Sequence, residues 1–348
     1  MLVDGKWTAD WHPVQKKDER GAFVRQTSSF RSWVTPDGQP GPTGEGGFEA
    51  EPGRYHLYAA LICPWASRAL AVRKLKRLED VISVSLVEPE LTREGWRLAD
   101  GADPVNGARH IHEIYTAADP RYTGRATVPV LWDEKRRTIV NNESADIIRM
   151  MNASFGTLGD TSVDLYPADL RPAIDSLGDD IYRRLNNGVY RAGFATTQAT
   201  YEEAFGDVFG MLDTLERRLA KQTYLFGNTL TETDVRLFVT LVRFDVAYHG
   251  LFKCNLRRIA DYPNLSAYVR RLLSIPAFAE TVDVDQIKRG YYSMKALNPA
   301  GIVPLGPSDP FGLEAEASVA SAPASRARSG LGPRSPRWDL RRRSPSIV

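Results

Sequence analysis

The run from Tyr55 to Val87 narrows the fold more than any other stretch of the chain. Tyr55, Leu57, Ala59 and Leu61 recur at every second position, the period of a strand. Cys63-Pro64 follows, and a proline suits the first position of a helix, where its missing N–H costs nothing. Ala71, Leu75 and Leu78 keep helical spacing, so the pattern predicts a helix from Pro64 to about Leu78. Val81 to Val87 (VISVSLV) predicts a buried second strand. Strand, helix and strand in this order require a right-handed parallel crossover. The crossover sets a cysteine at a helix N-terminus, where unpaired backbone N–H groups and the helix dipole favour an anion. A thiol so placed has its pKa lowered by one to several units from about 8.5, so Cys63 is expected to be a reactive thiolate.

Beyond this unit the chain is read as irregular up to Tyr122. Thr127 to Trp132 predicts a strand interrupted by Pro129, which cannot donate to a ladder, and Val128-Pro129 is expected to be cis. Residues 133–137 form a turn, 138–140 another strand, and Glu143-Ser144 opens a helix to about Met151. The order β-α-β followed by β-β-α is that of a thioredoxin-like domain. After a linker the remaining pattern is helical. Phe205, Val208, Leu212, Leu215 and Leu219 form one amphipathic stripe, Leu237, Leu241, Phe244 and Tyr248 a second, and Leu265, Tyr268 and Leu272 a third. Thr231-x-x-Asp234 reads as a capping box for the second.

The predicted architecture is α/β plus all-α, a thioredoxin-like domain followed by an all-helical one. Its segments are an irregular arm (1–50) whose aromatics Trp7, Trp11, Phe23, Phe30 and Trp33 pack it on the body, the α/β domain (51–152), a linker (153–166), the helical domain (167–300), a short segment (301–311) and an Ala/Ser/Pro/Arg-rich tail (312–348) expected to be disordered. The tail carries seven arginines and three acids, so the body bears a charge of −2 within a total of +2. Such a body has no electrostatic footprint for nucleic acid. No run approaches 18 apolar residues, which argues against a membrane span. Two cysteines are too few for a disulfide framework, and the chain, which shows no secretory leader, is expected to be cytoplasmic.

Position 66, where a C-x-x-C motif would hold a second thiol, is alanine. A mixed disulfide on Cys63 therefore has to be resolved by an external thiol, and Cys254, read as a packed helical cysteine, is no partner. Glu143 and Ser144 at a helix start suit a ligand carrying both an ammonium and a carboxylate. His110-x-His112 reads as a strand-like pair without an acidic partner, so no metal is expected.

The strings LICPWASRALAVRKLK, GRATVPVLWD, IVNNESADIIRMMN, LTETDVRLFVTLVRFD, YHGLFKCN and NPAGIVPLGP resemble the Xi-class glutathione transferases, the glutathionyl-hydroquinone reductases, over about residues 1 to 310. The resemblance implies a homodimeric enzyme with glutathione as co-substrate and glutathionylated aromatic small molecules as partners. It implies Cys63 as the catalytic residue. Trp96, Arg125, Val128 (through its backbone), Glu143 and Ser144 would bind glutathione. Tyr190 would line an aromatic substrate pocket with Tyr291 or Tyr292, the choice between the last two being open. Two positions depart from the family: Ser67 and Gly290 stand where it often has histidine, and Gly290 is expected to loosen the tyrosine segment. An omega-like transferase acting on protein thiols or dehydroascorbate, and a non-catalytic transferase-like module, are the alternatives.

Overall fold

The structure, a computed structural model, describes residues 1–9, 17–44 and 46–313. Trp11 and residues 314–348 of the tail lie outside the described residues.

The arm is less irregular than its composition implies. Leu2–Val3 (β1) and Lys6–Trp7 (β2) form an antiparallel hairpin. Its turn residues Asp4 and Gly5 both have positive φ, at 47° and 73°, as an Asp-Gly type I′ turn requires. Trp33–Thr35 (β3) and Gly47–Glu49 (β4) pair in parallel. Phe23 and Trp33 of the arm are buried.

The predicted crossover is present. Tyr55–Ala59 (β5) leads to Pro64–Leu75 (α1) and to Ile82–Leu86 (β6), which pairs with β5 in parallel. The stretch read as irregular holds a helix, Ile111–Ala118 (α2). Its signal was a capping box from His110 to Glu113 followed by buried Ile111, Ile114 and Tyr115 at helical spacing. His110-x-His112 is therefore a helix start, not a strand. Val130–Asp133 (β7), Thr138–Asn141 (β8) and Ser144–Ala153 (α3) complete the domain. The sheet order is β6-β5-β7-β8, with β7 antiparallel to both of its neighbours, and the Val128-Pro129 bond is cis.

The rest is helical: Arg171–Ile181 (α4), a π-helical turn over Tyr182–Asn186, Gly188–Gly193 (α5), Gln198–Leu219 (α6), Glu232–Arg243 (α7), a second π-helical turn over Phe244–Tyr248, Pro263–Leu273 (α8), Pro276–Ala279 (α9) and Val284–Tyr292 (α10). Every residue of α7 is buried. Its capping box forms as predicted, with the Thr231 N–H and hydroxyl both donating to Asp234 Oδ2 at 2.9 Å. Helix α7 packs against α1, α4 and α8. The wall of α1 beside Cys63 is thus the seam between the two halves, and residues 1–312 form one compact unit. Among the described residues no helix is long and apolar enough to cross a membrane.

Candidate functional site

Cys63 is the N-cap of α1, in extended conformation, with Pro64 at the first helical position. The N–H groups of Ala66 and Trp65 face its sulfur, and the thiol points to the Val128 carbonyl at 3.5 Å. The residue is half-buried, and the cavity around its thiol is largely apolar. Burial pushes the thiol above its ordinary pKa, against the pull of the Ala66 N–H, Arg243, the Trp65 N–H and Arg25. The expected lowering is therefore corrected: desolvation of the thiolate outweighs the helix terminus. Arg68, one turn on, is turned away from the sulfur. It donates to Asn186 Oδ1 at 2.9 Å and to Ser144 Oγ at 3.4 Å.

Two adjoining cavities open beside Cys63. The first, about 220 Å³, is lined mostly by polar residues, Arg125, Val128, Glu143 and Ser144 among its lining. Glu143 is the N-cap of α3, its carboxylate accepting from the Ala145 N–H at 3.2 Å and from Ser28 Oγ at 2.9 Å. The start of that helix thus offers an acid and a hydroxyl on one rim. The second cavity, about 150 Å³, is aromatic and apolar, and is lined by Cys63, Phe23, Tyr190, Phe194, Tyr291 and Trp96. Trp96, assigned to glutathione by resemblance, lines this cavity and not the polar one. Arg25, Trp65, Arg125, Thr127 and Val128 belong to both. Burial and the charge of Arg25 push Arg125 down to about 10.

The tyrosine alternatives separate. The hydroxyl of Tyr291, which is buried, lies 2.6 Å from that of Tyr190 and 2.7 Å from that of Tyr248. Burial raises the pKa of all three, which keeps them protonated. Tyr292 lies outside the lining of both cavities, packed towards Gly250. Gly290 does not loosen the segment. A Cβ there would come within 2.2 Å of Ile62 Cδ1 and 2.7 Å of the Pro89 carbonyl, so its bareness lets α10 close on the Cys63 turn. Ser67 is buried and accepts from Arg243 Nη2 at 2.7 Å.

Sequence reasoning missed Arg25, Tyr248 and Arg243. Arg25 and Phe23 alternate in an arm read as irregular, and Tyr248 was absorbed into a helical stripe. His110 and His112 do have an acid beside them, Glu113, the ligand atoms of all three lying within 4.8 Å of one another. Its carboxylate caps α2, accepting from the His110 N–H at 3.1 Å and pairing with the His110 ring at 3.0 Å, while the His112 ring stacks on Trp7.

A cysteine at the first helix of a thioredoxin-like domain, lining an aromatic pocket that shares a wall with a polar basin, defines a glutathione transferase. Residues 62–154 match the model of the glutathione S-transferase N-terminal domain and residues 198–271 that of the C-terminal domain. The glutathionyl-hydroquinone reductase PcpF of Sphingobium chlorophenolicum is 50% identical over 316 residues, covering 89% of this chain and 97% of its own. The glutathionyl-hydroquinone reductase YqjG of Escherichia coli is 50% identical over 313 residues, 88% and 95% of the two chains. The glutathione-bound structure of YqjG superposes with a TM-score of 0.81 at 48% identity, over 89% of this chain and 96% of that one. The Xi transferase of Phanerochaete chrysosporium gives 0.81 at 47%, over 85% and 96%. The chain belongs to the Xi class of the glutathione transferases.

Proposed function

We propose that this enzyme reduces glutathionyl-hydroquinones to hydroquinones at the expense of glutathione, with Cys63 as the nucleophile. The observation that carries the reading is the position of Cys63 in an aromatic pocket, its thiol pointing to Val128 on the wall shared with a polar basin, matching a substrate that is half tripeptide and half ring. The γ-glutamyl group sits at Glu143 and Ser144, the cysteinyl unit along the Val128 backbone, the glycyl carboxylate at Arg125, and the ring among Tyr190, Tyr291, Phe194 and Trp96.

The Cys63 thiolate attacks the glutathionyl sulfur, forming an S–S bond as the bond from sulfur to the ring carbon breaks. That carbon takes the electron pair and a proton, giving the hydroquinone. Buried, protonated Tyr190 and Tyr291 supply hydrogen bonds to the ring oxygens as charge develops there. A second glutathione thiolate then attacks the mixed disulfide, releasing oxidised glutathione and restoring Cys63. With Ala66 where a resolving cysteine would stand, the second step is intermolecular. The scheme requires no metal. Its need for free glutathione fits a cytoplasmic site, and a homodimer is the assembly we infer, testable by light scattering.

Steady-state reduction of glutathionyl-menadione, run beside a glutathionylated peptide, tests the reading. Preference for the aromatic conjugate is expected. Preference for the peptide would favour an omega-like thiol transferase instead.

A further inference from the structure

One cation in the site, Arg25, has no counterion among the described residues. Arg25 comes from the arm, which is hooked to the helical half: the Thr196 N–H and hydroxyl donate to the Gly21 carbonyl at 3.2 and 3.0 Å, and Thr197 Oγ1 donates to the Arg20 carbonyl at 3.0 Å. Its Nε donates to Asn187 Oδ1 at 2.8 Å. The guanidinium lies over the rings of Trp65 and Tyr190, 4.7 Å from each centroid, and 5.4 Å from that of Phe23. Two aromatic faces and one amide thus fix its position. Its Nη2 is nevertheless buried and meets no acceptor, and no carboxylate among the described residues pairs with it. A buried donor of this kind is costly unless a ligand completes it.

Glutathione does not need this cation. In the arrangement proposed above, Glu143 and Ser144 take its γ-glutamyl charges and Arg125 its glycyl carboxylate. Arg25 is surplus, and it lies on the boundary of the aromatic cavity, where, among the described residues, Arg125 is the other charged lining residue. We propose that Arg25 is a subsite for an anionic oxygen carried on the ring of the substrate, either a ring carboxylate or an ionised ring hydroxyl. The site then favours acidic hydroquinones over neutral ones. The inference rests on the reductase reading and narrows its substrate class. A guanidinium suits the task because it stays charged and offers two parallel donors to a carboxylate.

Three S-glutathionyl conjugates test this: those of hydroquinone, of 2,5-dihydroxybenzoate and of trifluorohydroquinone, whose hydroxyl ionises more readily. The quantity read is the ratio of kcat/KM for each acidic conjugate to that for the plain one. A ratio cancels losses common to all substrates, including any from altered folding or from the influence of Arg25 on Cys63. In the wild type at least one ratio should be fivefold or more, and Arg25→Met should lower it at least fivefold, with Arg25→Lys recovering part. The conjugate that responds identifies which anion is recognised. Absence of a fivefold preference in the wild type, or a smaller change in Arg25→Met, overturns the proposal. If the wild type reduces a glutathione mixed disulfide but none of the conjugates, the reductase reading fails separately. Inhibition of that disulfide reaction then decides the subsite. Free 2,5-dihydroxybenzoate should inhibit the wild type at least fivefold more strongly than hydroquinone, and Arg25→Met should lose the difference; otherwise the subsite is rejected.

Discussion

Cys63 stands between opposing influences. Apolar surroundings disfavour its thiolate, while two helix N–H groups and the charges of Arg243 and Arg25 favour it. In the free enzyme, burial prevails. Alkylation by iodoacetamide should therefore keep accelerating with pH beyond the ordinary thiol range of about 8.5, because the reactive fraction is the thiolate. A rate that levels off below pH 7 would contradict this balance. Cys63→Ser should abolish hydroquinone release, since a hydroxyl neither ionises at neutral pH nor forms the mixed disulfide. Cys254, fully buried and pushed up to about 12, has no thiolate to contribute. Cys254→Ser should remain within a few-fold of wild type, and equal losses in the two variants would exclude a single-thiol mechanism. Tyr291→Phe removes the hydroxyl that bridges Tyr190 and Tyr248. It should slow release by about tenfold or more, whereas Tyr292→Phe should cost less than twofold.

Among the elements, α10 and the pairing of β5 with β6 carry constraints that a single substitution exposes. Alanine is a better helix former than glycine by about 1 kcal/mol, so Gly290→Ala would stabilise an unpacked α10. Here the added Cβ meets the Pro89 carbonyl, a backbone atom that cannot swing aside, as well as Ile62. We expect a net loss of about 1–3 kcal/mol from overpacking and a raised KM for the ring substrate; a raised melting temperature would refute the close approach. On β5, His56 is 1% exposed, its ring nitrogens 2.6 and 2.9 Å from the hydroxyls of Ser83 and Ser85 on β6. Burial lowers its pKa to about 4, against about 6.5 in the unfolded chain. Between those values the unfolded chain binds the extra proton, so stability rises with pH. The contribution is complete above about pH 6.5 and is lost as pH falls towards 4, a change of about 3 kcal/mol at 1.36 kcal/mol per unit. Urea unfolding at pH 4.5 and 7.5 should show this loss in the wild type and a smaller one in His56→Gln.

At the scale of the molecule, Arg243 ties the halves together. From the end of α7 it donates to the carbonyls of Leu61, Ile62 and Val239 and to Ser67 Oγ, at 2.6 to 2.8 Å, and it is fully buried. The turn that carries Cys63 is thus held by a residue 180 positions away in the chain. Arg243→Met should cost about 3 kcal/mol or more, because several buried carbonyls lose their donors. It should also shift the alkylation profile of Cys63 to higher pH, since the guanidinium favours the thiolate; an unmoved profile would reduce Arg243 to a structural tie.

Much of this was written in local pattern. The alternation at Tyr55–Leu61, the Cys-Pro junction, the Thr231–Asp234 box and the start of α3 at Glu143-Ser144 each depend on neighbours a few residues apart, and each forms where the sequence places it. Glu113 is three residues from His110, yet α2 was obscured because turn-rich sequence on either side masked its short period. The two cavities, the separation of Tyr291 from Tyr292 and the tight fit at Gly290 were not legible. They depend on groups distant in sequence: Arg25 from the arm, Arg243 from α7 and Tyr291 from α10 converge on one cysteine. The sequence alone determined that Cys63 stands at a helix start, because helix starts are local. Only the tertiary structure decided how polar its surroundings are, because desolvation is the sum of everything folded over the sulfur. That sum reversed the pKa shift expected from the helix terminus alone.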